Sequence, residues 1–325
     1  MKEVMKKLSD IGVVPVIKLD DAKKAEPLAE ALREGGLPCA EVTFRTDACV
    51  ETIHRMREAF PDMIVGAGTV LSVEQVKEAA AAGAQFVVSP GFDPAVVSFC
   101  VDKDILIIPG CSSPSDVGQA VQYDLKAVKF FPAEAAGGLK MIRAMAGPYS
   151  GMKFFPTGGI NEGNIVEYLS CENVICCGGT WMVPEEAVKG KRFDEIRSLT
   201  EGAVRRMLDF RLAHVGINSV DEKEAERTAK MFETVFGFQA EENPSSIFND
   251  KYVEVLKRKY LGAMGHIAVE TNFVERAVEY LKRRGVEFLE ESAVYRPDRK
   301  LQAIYLKEEF GGFAVHLVRK KQNRG

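Results

Sequence analysis

Between residues 13 and 180, eight short apolar runs rich in β-branched and aromatic residues alternate with amphipathic stretches of helical spacing. The runs are VVPVIK (13–18), CAEVTF (39–44), MIVGAGT (63–69), QFVVSP (85–90), ILIIPG (105–110), AVKFFP (127–132), KFFPTGG (153–159) and VICCGGT (174–180). Stretches such as DDAKKAEPLAEALREGG and SVEQVKEAAAAGA lie between them and stop at glycine. A continuously apolar strand is one buried on both faces, and strands linked through helices run parallel. Eight such units in so short a span predict a closed (β/α)8 TIM barrel of the α/β class. An open doubly wound sheet would announce a phosphate loop after its first strand, and VVPVIKLDD is not one. A helical segment over roughly 185–210 is expected to close the barrel, giving a first domain of residues 1–210.

The pattern changes near Arg211. RLAHVGINS, KYVEVLKR, MGHIAVET and FAVHLVRK alternate apolar with polar residues, as strands with two unlike faces do. Two helical stretches, DEKEAERTAKMFETVFGF and NFVERAVEYLKRRGV, lie among them. The order strand, helix, three strands occurs twice, so residues 211–325 read as a second, α+β domain with an internal duplication.

Composition narrows the function. A net charge of −4 leaves no basic excess to neutralise a polyphosphate backbone, which argues against nucleic acid. No apolar run approaches the length of a membrane span, and MKEVMKKLSD lacks the apolar core of a signal peptide, so neither a membrane nor secretion is expected. The seven cysteines are odd in number and show no CxxC spacing, which fits reduced thiols in a cytoplasmic protein.

A barrel of this kind carries its chemistry at the C-terminal ends of its strands. The polar residues there are Lys18, Glu41, Arg45, Thr69, Ser89, Lys129, Thr157 and Thr180. Lys129 sits within AVKFFP between Val128 and Phe130, with Phe131 next. Desolvation favours a neutral amine that can attack a carbonyl and form a Schiff base. A lysine at the rim or paired with a carboxylate fits the same spacing. Glu41, in AEVTFR, is placed to exchange protons with such an adduct, or else to pair with Arg45. PTGGIN (156–161) and CGGTW (177–181) end the last two strands, where barrels commonly bind phosphate through backbone N–H groups.

Taken in order, VVPVI, EVTFRT, IVGAGTV, FVVSPG, IPGCSSPSD, KFFPAE, PTGGI and GGTWMVP resemble the 2-keto-3-deoxy-6-phosphogluconate/4-hydroxy-2-oxoglutarate aldolases over residues 1–207. These are class I pyruvate aldolases that need no cofactor. The resemblance implies cleavage of a 2-keto-3-deoxy sugar acid to pyruvate and an aldehyde, glyceraldehyde 3-phosphate or glyoxylate. Lys129 would be the Schiff-base lysine and Glu41 the general acid–base. Arg45 and Thr69 would hold the pyruvyl carboxylate, with Pro90 and Phe131 shaping the pocket. Gly158, Gly159, Gly179 and Thr180 would take the phosphate group, together with Lys18. Many relatives have Ser where this chain has Thr180. The family tends to form trimers, so a homo-oligomer, trimer or hexamer, is expected.

Three of the four histidines lie in strands of the second domain: His214, His266 and His316. A further strand carries Glu254. Side chains alternate at period two, so His214 lies opposite Val215 and Ile217, and His266 opposite Ile267 and Val269. Likewise Glu254 lies opposite Val253 and Val255, and His316 opposite Val315 and Leu317. All four would line the face that avoids the helices. Over residues 211–320 this resembles the vicinal oxygen chelate (glyoxalase/bleomycin-resistance) superfamily, whose paired βαβββ modules surround one divalent metal. Its glyoxalase-like members usually present a carboxylate where this chain has His316. A His3Glu set suits Zn, Ni, Fe or Mn. Two other readings stay open: the tail as a ligand-binding or assembly module, or a non-catalytic barrel with the tail as a lyase-, isomerase- or dioxygenase-like active unit.

Overall fold

The computed structural model describes residues 1–320, and the chain divides into two units, Met1–Met207 and Leu208–Gly325. The last five residues, which the expected 211–325 domain includes, lie outside the described residues.

The first unit has eight parallel strands: β1 (Val13–Ile17), β2 (Cys39–Thr43), β3 (Ile64–Gly68), β4 (Val87–Val88), β5 (Ile107–Ile108), β6 (Ala127–Phe130), β7 (Lys153–Pro156) and β8 (Cys177–Gly179). Six pair in the order β5-β4-β3-β2-β1-β8, and β6 pairs with β7. Parallel bridges between Gly110 and Lys129, and between Thr157 and Gly178, join the two groups and close the ring. β2 and β3 are buried at every position, as strands covered on both faces must be. β4 and β5 are shorter than their apolar runs, which end in Ser89-Pro90 and Pro109-Gly110. Proline carries no N–H to extend a ladder.

Local sequence chemistry starts and stops the helices between strands. Ser72 and Asp93 cap helices Val73–Ala81 and Pro94–Asp102 with their side chains, and Ser113 with Asp116 forms a capping box ahead of Pro114–Gln122. An amphipathic helix before β1, Lys2–Ile11, escaped the sequence reading; it buries Leu8 and Ile11 and ends at Gly12. The expected 185–210 segment is two helices, Glu185–Lys189 and Phe193–Leu208, parted around Gly190.

The second unit is one eight-stranded sheet. Its strands are β9 (Arg211–Asn218), β10 (Ala240–Glu242), β11 (Ser246–Asn249), β12 (Val253–Leu256), β13 (Gly265–Thr271), β14 (Phe288–Tyr295), β15 (Leu301–Leu306) and β16 (Phe313–Arg319). Helix Glu222–Phe236 follows β9 and helix Val274–Lys282 follows β13, so the strand-helix-three-strand order occurs twice, as expected. The halves meet where β9 and β13 pair antiparallel, and β12 and β16 flank that seam in parallel. Ala225 and Ala229 of the first helix cluster with Ile247 and Val255, which fixes one sheet face as the packed one. Among the described residues, no helix is long and apolar enough to cross a membrane.

None of the seven cysteines forms a disulfide, and only Cys171 is not buried. Burial pushes the Cys100 thiol up to about 11 and, with Glu78 nearby, the Cys49 thiol up to about 12. A thiol reagent at pH 8 is therefore expected to modify Cys171 alone in the native chain and all seven cysteines in denaturant. Rapid native modification of Cys49 or Cys100 would contradict this packing.

Candidate active site and candidate metal centre

Lys129 is the third residue of β6 and Glu41 the third residue of β2, and both point into the barrel. Lys129 Nζ donates to Glu41 Oε1 at 2.8 Å, with the glutamate fully buried and the lysine 5% exposed. The rings of Phe131 and Phe155 lie 5.6 and 6.0 Å from the ammonium. Glu41 thus pairs with Lys129 and not with Arg45. Its second oxygen, Oε2, is buried without a partner. The carboxylate has room because β3 ends in glycine: a Cβ on Gly68 would stand 2.3 Å from Glu41 Oε1.

Around this pair lies a pocket of about 190 Å³ at the C-terminal ends of the strands. Arg45, Thr69, Pro90, Phe131, Gly158, Gly159, Gly179 and Thr180 all line it with Glu41 and Lys129. Arg45 is exposed and has no ion-pair partner among the described residues, so its guanidinium is available to an anion. Thr69 holds φ +56°, a strained conformation for a β-branched residue, which persists where the surroundings impose it. Gly158 and Gly159 have φ of +99° and +80°, and neither N–H donates a hydrogen bond among the described residues. Successive free amides in a turn form an anion-binding concavity.

Lys18 is the exception. It lies just past β1, is not part of the pocket lining, and its ammonium sits 3.8 Å from both Asp20 and Glu185. Ser89 donates to the Gly91 carbonyl and stays out of the pocket. Val16, Thr43, Ile160 and Gly178 line it without having been expected as site residues, and Thr157, expected from its place at a strand end, lines it too. Thr157 is the notable one, because its buried hydroxyl has no partner.

In the second unit His214 (β9), Glu254 (β12), His266 (β13) and His316 (β16) converge from the four central strands. His214 Nε2 and His266 Nε2 are 3.1 Å apart, and each is 3.2 Å from Glu254 Oε2. Ligand atoms of the three histidines lie within 4.8 Å of one another. Gly216 makes this approach feasible, since a Cβ there would fall 2.1 Å from the His266 ring. Burial would raise the Glu254 carboxyl, but hydrogen bonds from His214, His266 and Ser246 hold it well below the usual carboxylate range. Burial pushes His316 down to about 3, with His266 and His214 adding to the effect and Glu254 opposing it. Burial also raises the Tyr305 phenol, with Tyr260 and Glu254 contributing. Both ring nitrogens of His316 and Nδ1 of His266 are buried with no partner. His54, outside either site, is exposed beside Glu58 at 3.7 Å.

A family model described as KDPG and KHG aldolase matches residues 3–199, so the second unit lies outside the matched stretch. A 2-dehydro-3-deoxy-phosphogluconate aldolase of Treponema pallidum is 45% identical over 201 residues, covering 62% of this chain and 96% of the relative. One from Haemophilus influenzae is 43% identical over 209 residues, covering 64% and 97%. A solved KDPG aldolase from Legionella pneumophila, with pyruvate captured as a covalent carbinolamine intermediate, has a TM-score of 0.59 at 40% identity. It covers 62% of this chain and 96% of that structure.

The buried pair makes a stability prediction. Lys129→Ala strands a carboxylate in the barrel and is expected to cost about 3 kcal/mol in urea unfolding. The Lys129→Ala/Glu41→Ala double variant should recover part of that loss, and a loss equal to the sum of the two single-variant costs would mean that the charges do not depend on each other.

Proposed function

The chain belongs to the KDPG and KHG aldolase family, and on that premise we propose that its barrel works as a class I aldolase through a Schiff base on Lys129. As a member of that family it is an aldolase, a carbon–carbon lyase. The observation that carries the mechanism is the 2.8 Å contact of Lys129 with Glu41 inside the pocket. A proton passing along that contact to Glu41 leaves an amine facing the substrate. The amine attacks the C2 ketone, and Glu41 returns protons as the carbinolamine loses water to give the iminium. The iminium accepts the electron pair of the breaking C3–C4 bond, so this step calls for no metal. As that bond breaks, the C4 hydroxyl gives its proton to Glu41 and becomes the carbonyl of the departing aldehyde; the pyruvate enamine is then protonated at C3, and water releases pyruvate.

The substrate reading is a 2-keto-3-deoxy sugar acid: 2-keto-3-deoxy-6-phosphogluconate, giving glyceraldehyde 3-phosphate, or 4-hydroxy-2-oxoglutarate, giving glyoxylate. Arg45, which has no ion-pair partner among the described residues, and Thr69 line the pocket and would hold the pyruvyl carboxylate. The free amides of Gly158 and Gly159, with Gly179 and Thr180, suit a phosphate group. Lys18 plays no part in this reading. A cytoplasmic setting accords with seven cysteines outside any disulfide. A homo-oligomer, trimer or hexamer, belongs to the same reading.

Incubation with pyruvate and borohydride, followed by peptide mapping, tests the mechanism. One reduced adduct on Lys129 is expected. Lys129→Ala should abolish it and lower turnover by roughly 10⁴-fold or more. An adduct on a different lysine, or none, would overturn the assignment.

For the second unit we propose a vicinal-oxygen-chelate-like module in which His214, Glu254, His266 and His316 hold one divalent ion, Zn, Ni, Fe or Mn. The support is the set of buried, unpartnered ring nitrogens, a condition that buried polar groups rarely tolerate. Once bound, the ion would supply Lewis-acid polarisation of an oxygen ligand. Metal analysis of the full chain should find roughly one equivalent, lost in Glu254→Ala/His316→Ala while the aldolase rate is unchanged. Full metal content in that variant would rule the site out.

A further inference from the structure

The duplication places equivalent residues on both sides of the proposed metal centre, and comparing them isolates one group that packing does not explain. On β11 and β12, Phe248 stands opposite Glu254. On β15 and β16, Tyr305 stands opposite His316. Phe248 and Tyr305 therefore occupy the same position in the two halves. Phe248 meets His214 edge-on, with centroids 5.3 Å apart. Tyr305 stacks on His316 at 4.5 Å and 12°, and meets His266 edge-on at 6.3 Å. Each ring walls an imidazole, a task that needs no hydroxyl, as Phe248 demonstrates.

The next equivalent pair is Ser246 and Ala303, placed opposite Leu256 and Val318. Ser246 donates to Glu254 Oε1 at 2.6 Å, so its hydroxyl is already engaged. That leaves Tyr305 as the free hydroxyl of the four positions. It makes no side-chain hydrogen bond among the described residues, and only its backbone N–H donates, to Ser292. Tyr305 is half-buried, and Tyr260 packs edge-on against it at 6.0 Å. Three neutral imidazoles and one carboxylate around a divalent ion leave one positive charge uncompensated, which favours an anionic ligand. A phenol donor beside that charge is matched to a carboxylate oxygen.

We propose that Tyr305 is the ligand-recognising hydroxyl of the second unit, donating a hydrogen bond to a small carboxylate-bearing chelate bound at the His3Glu centre. This rests on the metal reading above. The test uses the full chain loaded with Co(II), whose visible absorption reports ligand exchange, titrated with oxalate as the probe. Tyr305→Phe keeps the stacked ring, so Co(II) affinity and the ligand-free spectrum should match the parent. Oxalate affinity should fall roughly tenfold or more, the effect of removing a hydrogen bond to a charged group. Phe248→Leu, on the other wall, should leave oxalate affinity nearly unchanged. Bound Co(II) with equal oxalate affinity in parent and Tyr305→Phe, or no oxalate response in the parent, overturns this proposal alone. A parent chain that fails to take up Co(II) overturns the metal reading and this proposal with it.

Discussion

A charge buried in a protein interior has to be matched, and in this barrel the match is between Lys129 and Glu41. Neither group would be kept there for stability, because a well-packed apolar pair generally serves as well as a buried ion pair or better. Their presence constrains what surrounds them. β2 and β6 must present their third residues to the same lumen, β3 must end in a residue without a side chain, and Phe131 and Phe155 must limit water around the ammonium. The pocket is the space left once those conditions are met. Arg45 and the Gly158–Gly159 turn line that same pocket, and in the reading proposed above they would anchor a substrate around Lys129.

Much of the barrel was legible in the sequence because its strands are apolar on both faces and its helices carry their own caps. The β6 lysine stood out for the same reason: a cation among Val128, Phe130 and Phe131 contradicts its surroundings. The relation between distant strands was harder to read. Whether Glu41 meets Lys129 or Arg45 depends on which residues face each other across a closed ring, and no spacing along the chain encodes that. Gly68 escaped notice as a site residue for the same reason. Lys18, one residue past the end of β1, lies beside Asp20 and Glu185, a neighbourhood that its position along the chain did not disclose.

In the second unit, period-two alternation put four donors on one face before any tertiary contact was known. The seam between β9 and β13, with β12 and β16 beside it, is what turns a shared face into a shared point. Tyr305, Phe248 and Ser246 were not legible, since they lie on β11 and β15, the strands that flank the four central ones and whose sequences carry no unusual residue. Their importance comes from pairing opposite a donor, which only strand register supplies.

The two repeats of this unit are no longer interchangeable. One half closes on a carboxylate braced by a serine, and the other on an imidazole backed by a tyrosine. If exchange between the repeats made them identical, the result would be two carboxylates with two histidines, or four histidines with no carboxylate. Either outcome changes the charge of the cluster by one unit and removes a hydroxyl from its place. A duplicated fold tolerates copying between its halves only while they remain alike, and here the divergence of three positions has fixed each half in its own role.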